Sequence, residues 1–142
     1  MKITETNDRF VKALIKAEGN CPLGEHKARV RTRGGVTELR TFFVGPFPMV
    51  AKVAPKAGEG PQKLPLNCTV AGSVAAESVD RYAVEVKKGQ RISAEVESIR
   101  LGRGVYDPYI EILDTKGFIL SRSDDTKLFI QDCYASAIVP LD

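Results

Sequence analysis

The stretch His26-Lys27-Ala28-Arg29-Val30-Arg31-Thr32-Arg33-Gly34-Gly35-Val36-Thr37-Glu38-Leu39 decides the fold class of this chain. His26, Ala28, Val30 and Thr32 alternate with Lys27, Arg29, Arg31 and Arg33. A period of two is the signature of a strand with one face turned to a core. After Gly34-Gly35 the alternation resumes from Val36 to Val44, with Thr37, Leu39, Thr41 and Phe43 on one side. Paired glycines accept the positive φ angles of a type I′ turn without strain, so the two strands are expected to close into a tight hairpin.

The same period extends outward in both directions. Upstream, Val11, Ala13, Ile15 and Ala17 alternate with Lys12, Leu14 and Lys16. Alternation and β-branching favour a strand there over a helix. Downstream, Leu66, Cys68 and Val70 alternate, as do Tyr82, Val84 and Val86. Lys87-Lys88-Gly89-Gln90 reads as a turn, and Ile92, Ala94 and Val96 continue beyond it. Tyr109 to Leu113 and Phe118 to Ser121 flank Asp114-Thr115-Lys116-Gly117, a reverse turn that ends in glycine. Leu128 to Ile130 and Ala135 to Val139 are the last apolar runs. Many short strands separated by Gly and Pro turns predict an all-β chain, an antiparallel β-sandwich.

Between the two patterned regions the composition changes. Residues 45–65 hold Pro46, Pro48, Pro55, Pro61 and Pro65 together with Gly58 and Gly60. Proline lacks the donor a sheet ladder needs and glycine adds backbone freedom, so residues 46–65 read as a linker, with Met49 to Val53 as one edge strand inside it. The expected organisation is therefore a first β region over 1–45, the linker, and a second β region over 66–142. About three strands are too few for two sheets in the first region, and the second ends directly after an apolar strand. Both features fit a piece of a longer chain.

Composition excludes several classes. The chain has 142 residues, 21 basic and 18 acidic, for a net charge of +3. That small surplus does not argue for nucleic acid, which is not expected as a partner. No apolar run approaches the roughly 18 residues of a membrane-crossing helix, so membrane insertion is not expected. Residues 1–8 lack the apolar core of a secretion signal. An enzyme is not expected either. There is one histidine, His26, in the apolar register of a strand, and no nucleophile elbow, Cys-x-x-Cys pair, zinc helix or phosphate loop occurs. Three cysteines, Cys21, Cys68 and Cys133, cannot form a complete disulfide framework, although a Cys68–Cys133 bridge is open.

Residues 79–90, Val79-Asp80-Arg81-Tyr82-Ala83-Val84-Glu85-Val86-Lys87-Lys88-Gly89-Gln90, resemble a conserved segment of the bacterial pre-peptidase C-terminal domain. Leu101-Gly102, Tyr106-Asp107-Pro108-Tyr109-Ile110, Leu113-Asp114, Gly117 and Ser123-Asp124-Asp125 follow that family's order and spacing, and Leu64 to Val70 is similar to its opening strand. The resemblance covers residues of about 50–142. The segment from Pro22 to Gly45 is similar to the closing strands of an immunoglobulin-like domain of exported planctomycete-like proteins. Membership implies a jelly-roll-like β-sandwich, preceded by a partial immunoglobulin-like segment. It also implies a secreted, cell-surface or periplasmic location and a non-catalytic role as spacer, adhesion or binding module. The implied partners are other domains of the same parent protein, and extracellular polysaccharide or protein. Two departures stand out: Ala54-Pro55-Lys56 replaces an acidic opening, and the family's closing strand is missing after Asp142.

Some relatives in that family bind calcium, a cation that takes six to eight oxygens from several loops. The candidate ligands here are Asp107, Asp124 and Asp125, with Asp114 as a further carboxylate. Each also has an ordinary reading, since aspartates in turns bond their own backbone. No Asp-x-Asp-x-Asp-Gly pattern is present. No cofactor is expected, and calcium is the one metal left open. Tyr106 and Tyr109 flank the Asp107-Pro108 loop and are the aromatic residues best placed to meet a ligand, whereas Tyr82 and Phe118 fit core registers. Lys27, Arg29, Arg31 and Arg33 share a strand face and form a basic stripe without interleaved aromatics. The stripe reads as a solvated sheet face, with Glu25 and Glu38 nearby to offset its charge.

Overall fold

In a computed structural model of the chain, residues 1–54, 58–102, 106–129 and 131–140 are described, apart from the side chain of Leu128. Fourteen strands and two single 3-10 turns account for the regular structure among them. The strands are β1 (Lys2–Thr6), β2 (Val11–Leu14), β3 (Gly24–Ala28), β4 (Arg31–Thr32), β5 (Gly35–Val36), β6 (Arg40–Val44) and β7 (Met49–Ala51). They continue as β8 (Gln62–Leu64), β9 (Thr69–Ala71), β10 (Tyr82–Val84), β11 (Arg91–Glu95), β12 (Ile110–Leu113), β13 (Ile119–Ser123) and β14 (Tyr134–Ile138). The 3-10 turns are η1 (Ile99–Leu101) and η2 (Lys127–Phe129). The chain is all-β, with its strands in paired ladders, most of them antiparallel, in keeping with a β-sandwich.

The layering is clearest in the last third of the chain. β14 is hydrogen-bonded to β11, with Ser93 opposite Ser136, and it also packs against β12 and β13, which pair with each other. Cys133, Ala135 and Ala137 are buried while Tyr134 and Ile138 are exposed, so β14 obeys the period of two. Small side chains at 135 and 137 let the two ladders approach closely. On the outer face Ser93, Tyr134, Ser136 and Arg91 form a hydrogen-bonded cross-strand set at 2.9–3.3 Å.

The glycine hairpin forms with its turn one residue earlier than the sequence pattern implies. Thr32 pairs with Gly35, which leaves Arg33-Gly34 as the two-residue loop, and Gly35 takes a φ of +142°. Beyond Val36 the register slips by one residue, since Arg31 faces Val36 but Ala28 faces Arg40. The extra residue lies in Thr37–Leu39, where the Thr37 Oγ1 takes the Val30 N–H at 3.0 Å. Such a bulge shifts which face each side chain meets. The expected one-sided row Thr37, Leu39, Thr41, Phe43 is accordingly broken: residues 36–40 are exposed and 41–44 half-buried.

The segment read as a linker carries two strands. β7 pairs in parallel with β9, and β8 pairs in parallel with β10. Pro46, Pro48, Pro61 and Pro65 lie just outside these three-residue strands, where no ladder donor is lost. Gln62 ties β8 to β7, its amide oxygen accepting from Val53 N at 2.9 Å and its amide nitrogen donating to Ala51 O at 3.1 Å. Lys52 reaches Ser73 O at 2.6 Å and stands 2.6 Å from Asp80 Oδ2, a close ion pair without aligned hydrogen-bond geometry. Its stem runs across Gly72, where an added Cβ would come within 2.6 Å of Lys52 Cβ. The Lys52–Asp80 pair borders Tyr82, whose phenol is held above its usual pKa by burial and then by Asp80.

The first region contains more strands than expected. Residues 2–6, which carried no strand reading, form β1 and pair with β2. Asn7 closes that hairpin by accepting from Arg9 N at 2.8 Å and Phe10 N at 3.0 Å. β2 stops at Leu14, short of the predicted Ala17. His26 is half-buried: it stacks on Phe42 at 5.5 Å, and its Nε2 lies 2.8 Å from Pro22 O.

Candidate functional site

The register of β12 and β13 locates the candidate residues. Ile110 faces Ser123, so the loop entering β12 and the loop leaving β13 lie at one end of this ladder. That end therefore gathers Tyr106, Asp107, Pro108 and Tyr109 beside Asp124 and Asp125. The Asp114–Gly117 turn lies at the opposite end, and Asp114 is consumed there by accepting from Lys116 N and Phe118 N at 2.8 Å each. Three of the four aspartates singled out by sequence thus share one end, and the fourth is a turn residue.

Pro108 is buried while its neighbours are not, so the loop is anchored at its centre and presents aromatic rings on either side. Tyr106 is 38% exposed and Tyr109 52% exposed. The Tyr109 hydroxyl donates to Glu111 Oε1 at 2.7 Å, and that bond raises its pKa. The facing loop is fixed by Ser123, whose Oγ accepts from Tyr134 N at 3.4 Å and lies 3.3 Å from Thr126 Oγ1. Tyr82 and Phe118, expected in the core, are instead 40% and 67% exposed. Phe118 directly follows the Asp114 turn, ahead of β13, and its N–H is held by Asp114 Oδ1.

Beneath this end lies a polar cluster that the sequence did not disclose. Asp132 is fully buried, and its Oδ1 accepts from Ser98 N and Ile99 N at 2.9 Å each. Its Oδ2 accepts from Arg100 Nε at 2.6 Å and Arg100 N at 3.4 Å. Arg100 Nη2 donates to Glu95 Oε1 at 2.6 Å and Val96 O at 3.2 Å. The guanidinium lies over Phe129 at 4.4 Å and near Phe43 at 5.8 Å, so it also joins β6 to η1. Burial alone would raise the Asp132 pKa, but Arg100 and the three backbone donors outweigh it and hold the carboxyl below its usual value. Glu97 moves the other way, raised chiefly by burial. Aspartate in an otherwise apolar run and arginine in a single 3-10 turn leave no periodic signal, because they meet across 32 residues of chain.

Cys133 adjoins Asp132 and is fully buried. Burial, reinforced by the negative charges of Asp132, Asp124 and Asp107, pushes its thiol up to about 11. All three cysteines are free, so the Cys68–Cys133 bridge does not form. Among the described residues no three His, Cys, Asp or Glu side chains converge as a metal cage. Of the acidic-opening replacement Ala54-Pro55-Lys56, the last two residues lie outside the described residues, as does Ile130. No helix of the described residues is long and apolar enough to cross a membrane.

Compared with known proteins, the chain matches no family model, no curated protein and no solved structure.

Proposed function

We propose that this chain is a non-catalytic β-sandwich accessory module of an exported or cell-surface bacterial protein, and that it works by holding a binding loop in place. The observation that carries this reading is the loop of Tyr106 to Tyr109, pinned through buried Pro108 with a tyrosine exposed on each side. Aromatic rings with a polar tip suit contact with sugars or with protein surfaces. The charged groups beneath the loop support a scaffold role. Both Asp132 oxygens and the Arg100 guanidinium are spent on backbone, on each other and on Glu95, and the Cys133 thiol is kept protonated. Membership of the pre-peptidase C-terminal family, and with it the exported location, rests on the motif order of residues 64–125.

Retention on insoluble polysaccharides and on collagen tests the reading. Wild-type chain is expected to be retained on at least one matrix, and the Tyr106→Ala/Tyr109→Ala variant to pass through. Release of soluble sugar or peptide from the matrix by the purified chain would overturn the non-catalytic assignment. Retention unchanged in the double variant would remove the loop as the contact.

A further inference from the structure

The basic stripe has a second property that its sequence pattern does not reveal. Residues 24–44 hold five of the 21 basic and two of the 18 acidic residues, so this hairpin carries the whole net charge of +3 and the remainder is balanced. Its two acidic residues are already engaged, Glu25 with Lys27 at 3.1 Å and Glu38 with Arg40. Arg29, Arg31 and Arg33 are exposed and make no ion pair or side-chain hydrogen bond among the described residues. β3 and β4 each have one paired neighbour, β6 and β5, which leaves the other edge of this strand open among the described residues.

The backbone at that edge is also oriented for pairing. Val30 spends both backbone groups on Thr37, its N–H on Oγ1 at 3.0 Å and its C=O on the Thr37 N–H at 2.9 Å. In an extended strand successive residues turn their N–H and C=O groups to opposite sides. Arg29 and Arg31, on either side of Val30, therefore turn theirs to the open edge. Their side chains share one face and recur about every 7 Å, the two-residue repeat of a strand.

We propose that the Lys27–Thr32 edge is a docking site for an extended acidic protein segment with carboxylates at alternate positions. It would add as a strand beside Arg29 and Arg31 and set its carboxylates opposite their guanidiniums. This rests on the binding-module reading and names a protein partner on a surface separate from the tyrosine loop. A second copy of this chain does not fit, because two such edges would oppose arginine with arginine. A polyanionic sugar or nucleic acid offers charge but no ladder of amides, and the stripe has no aromatic to stack a base.

The probe is a labelled nine-residue peptide alternating Glu with Thr and Val, followed by fluorescence anisotropy against the full chain at low and high salt. Binding is expected to weaken with salt, and to fall at least about fivefold in Arg29→Glu/Arg31→Glu, the order expected for two exposed ion pairs. It is expected to vanish when the Glu amides of the peptide are N-methylated. A matching Lys peptide is expected to bind the double variant better than the wild type, which shows that the variant is folded. No binding of the Glu peptide would overturn the proposal. So would equal binding of the N-methylated peptide, or a tighter grip on a uronic-acid oligosaccharide, which would make the stripe a general polyanion site. Polysaccharide and collagen retention by the same variant separates failure here from failure of the module reading, because that contact depends on Tyr106 and Tyr109.

Discussion

Replacing Asp132 by asparagine preserves the shape of the side chain and removes only its charge and half of its acceptor capacity. In the native site Oδ1 takes two backbone N–H groups and Oδ2 takes Arg100 Nε, so donors surround the carboxylate on every side. An asparagine amide must turn its NH2 group either toward Arg100 or toward Ser98 and Ile99, and either choice puts donor against donor. Breaking a buried pair from one side costs about 3–5 kcal/mol. Arg100 keeps its bond to the partly exposed Glu95, which places the expected loss near the lower figure, about 3 kcal/mol. For a chain of this length that corresponds to a fall in Tm of roughly 10 °C. Urea unfolding followed by fluorescence, with the slope unchanged and the midpoint lowered, is the appropriate assay. A loss under about 1 kcal/mol would refute the reasoning, since it would put Asp132 in a site that solvent can reach.

Gly72→Ala sets a Cβ 2.6 Å from Lys52 Cβ and 2.8 Å from its Cδ, so the lysine stem must leave Asp80; a loss of about 1–3 kcal/mol in urea unfolding is expected. In the folded chain near pH 8, Cys133 is expected to stay unreactive toward a thiol reagent while the half-buried Cys21 and Cys68 react, with mass spectrometry of the labelled peptides as the readout. Asp132 has a lowered folded pKa, so its contribution is complete above its ordinary value of 3.8 and disappears as the pH falls through the lower folded value. Glu97, raised in the folded state, acts in the opposite sense and favours folding toward acid. Thermal melts of wild type and Asp132→Asn are therefore expected to converge as the pH drops below about 4. Millimolar calcium is expected to leave the melting temperature unchanged, because the candidate end supplies Asp107, Asp124 and Asp125 but no cage of three among the described residues, and calcium needs six to eight oxygens.

How much was legible in the sequence follows from how local each feature is. The period of two in 26–32 and in Ile92, Ala94 and Val96 is written into neighbouring residues, and β3, β4 and β11 formed there, while the apolar run Ala135 to Val139 lies largely in β14. The Asp114–Gly117 turn was equally readable, since the Asp114 carboxylate closes it by accepting from backbone N–H groups two and four residues on. The bulge after Val36 was not, because it depends on where Thr37 finds an acceptor and donor across the hairpin. Proline-rich residues 46–65 misled for a different reason: Pro46, Pro48, Pro61 and Pro65 lie outside the short parallel strands, which composition alone does not convey. At the candidate site, the loop residues could be singled out by type, and only the pairing of Ile110 with Ser123 puts them at one end. Asp132 and Arg100 meet through tertiary structure, and nothing near either residue in the chain announces the other.

Amide hydrogen exchange, resolved residue by residue, tests most directly whether one rigid layer pair supports the loop end. The slowest exchange is expected in β11 and β14 and at the Ser98 and Ile99 amides held by Asp132, with the β1–β2 hairpin, exposed throughout apart from half-buried Val11, among the fastest. Ser98 and Ile99 exchanging as fast as β1 would contradict it.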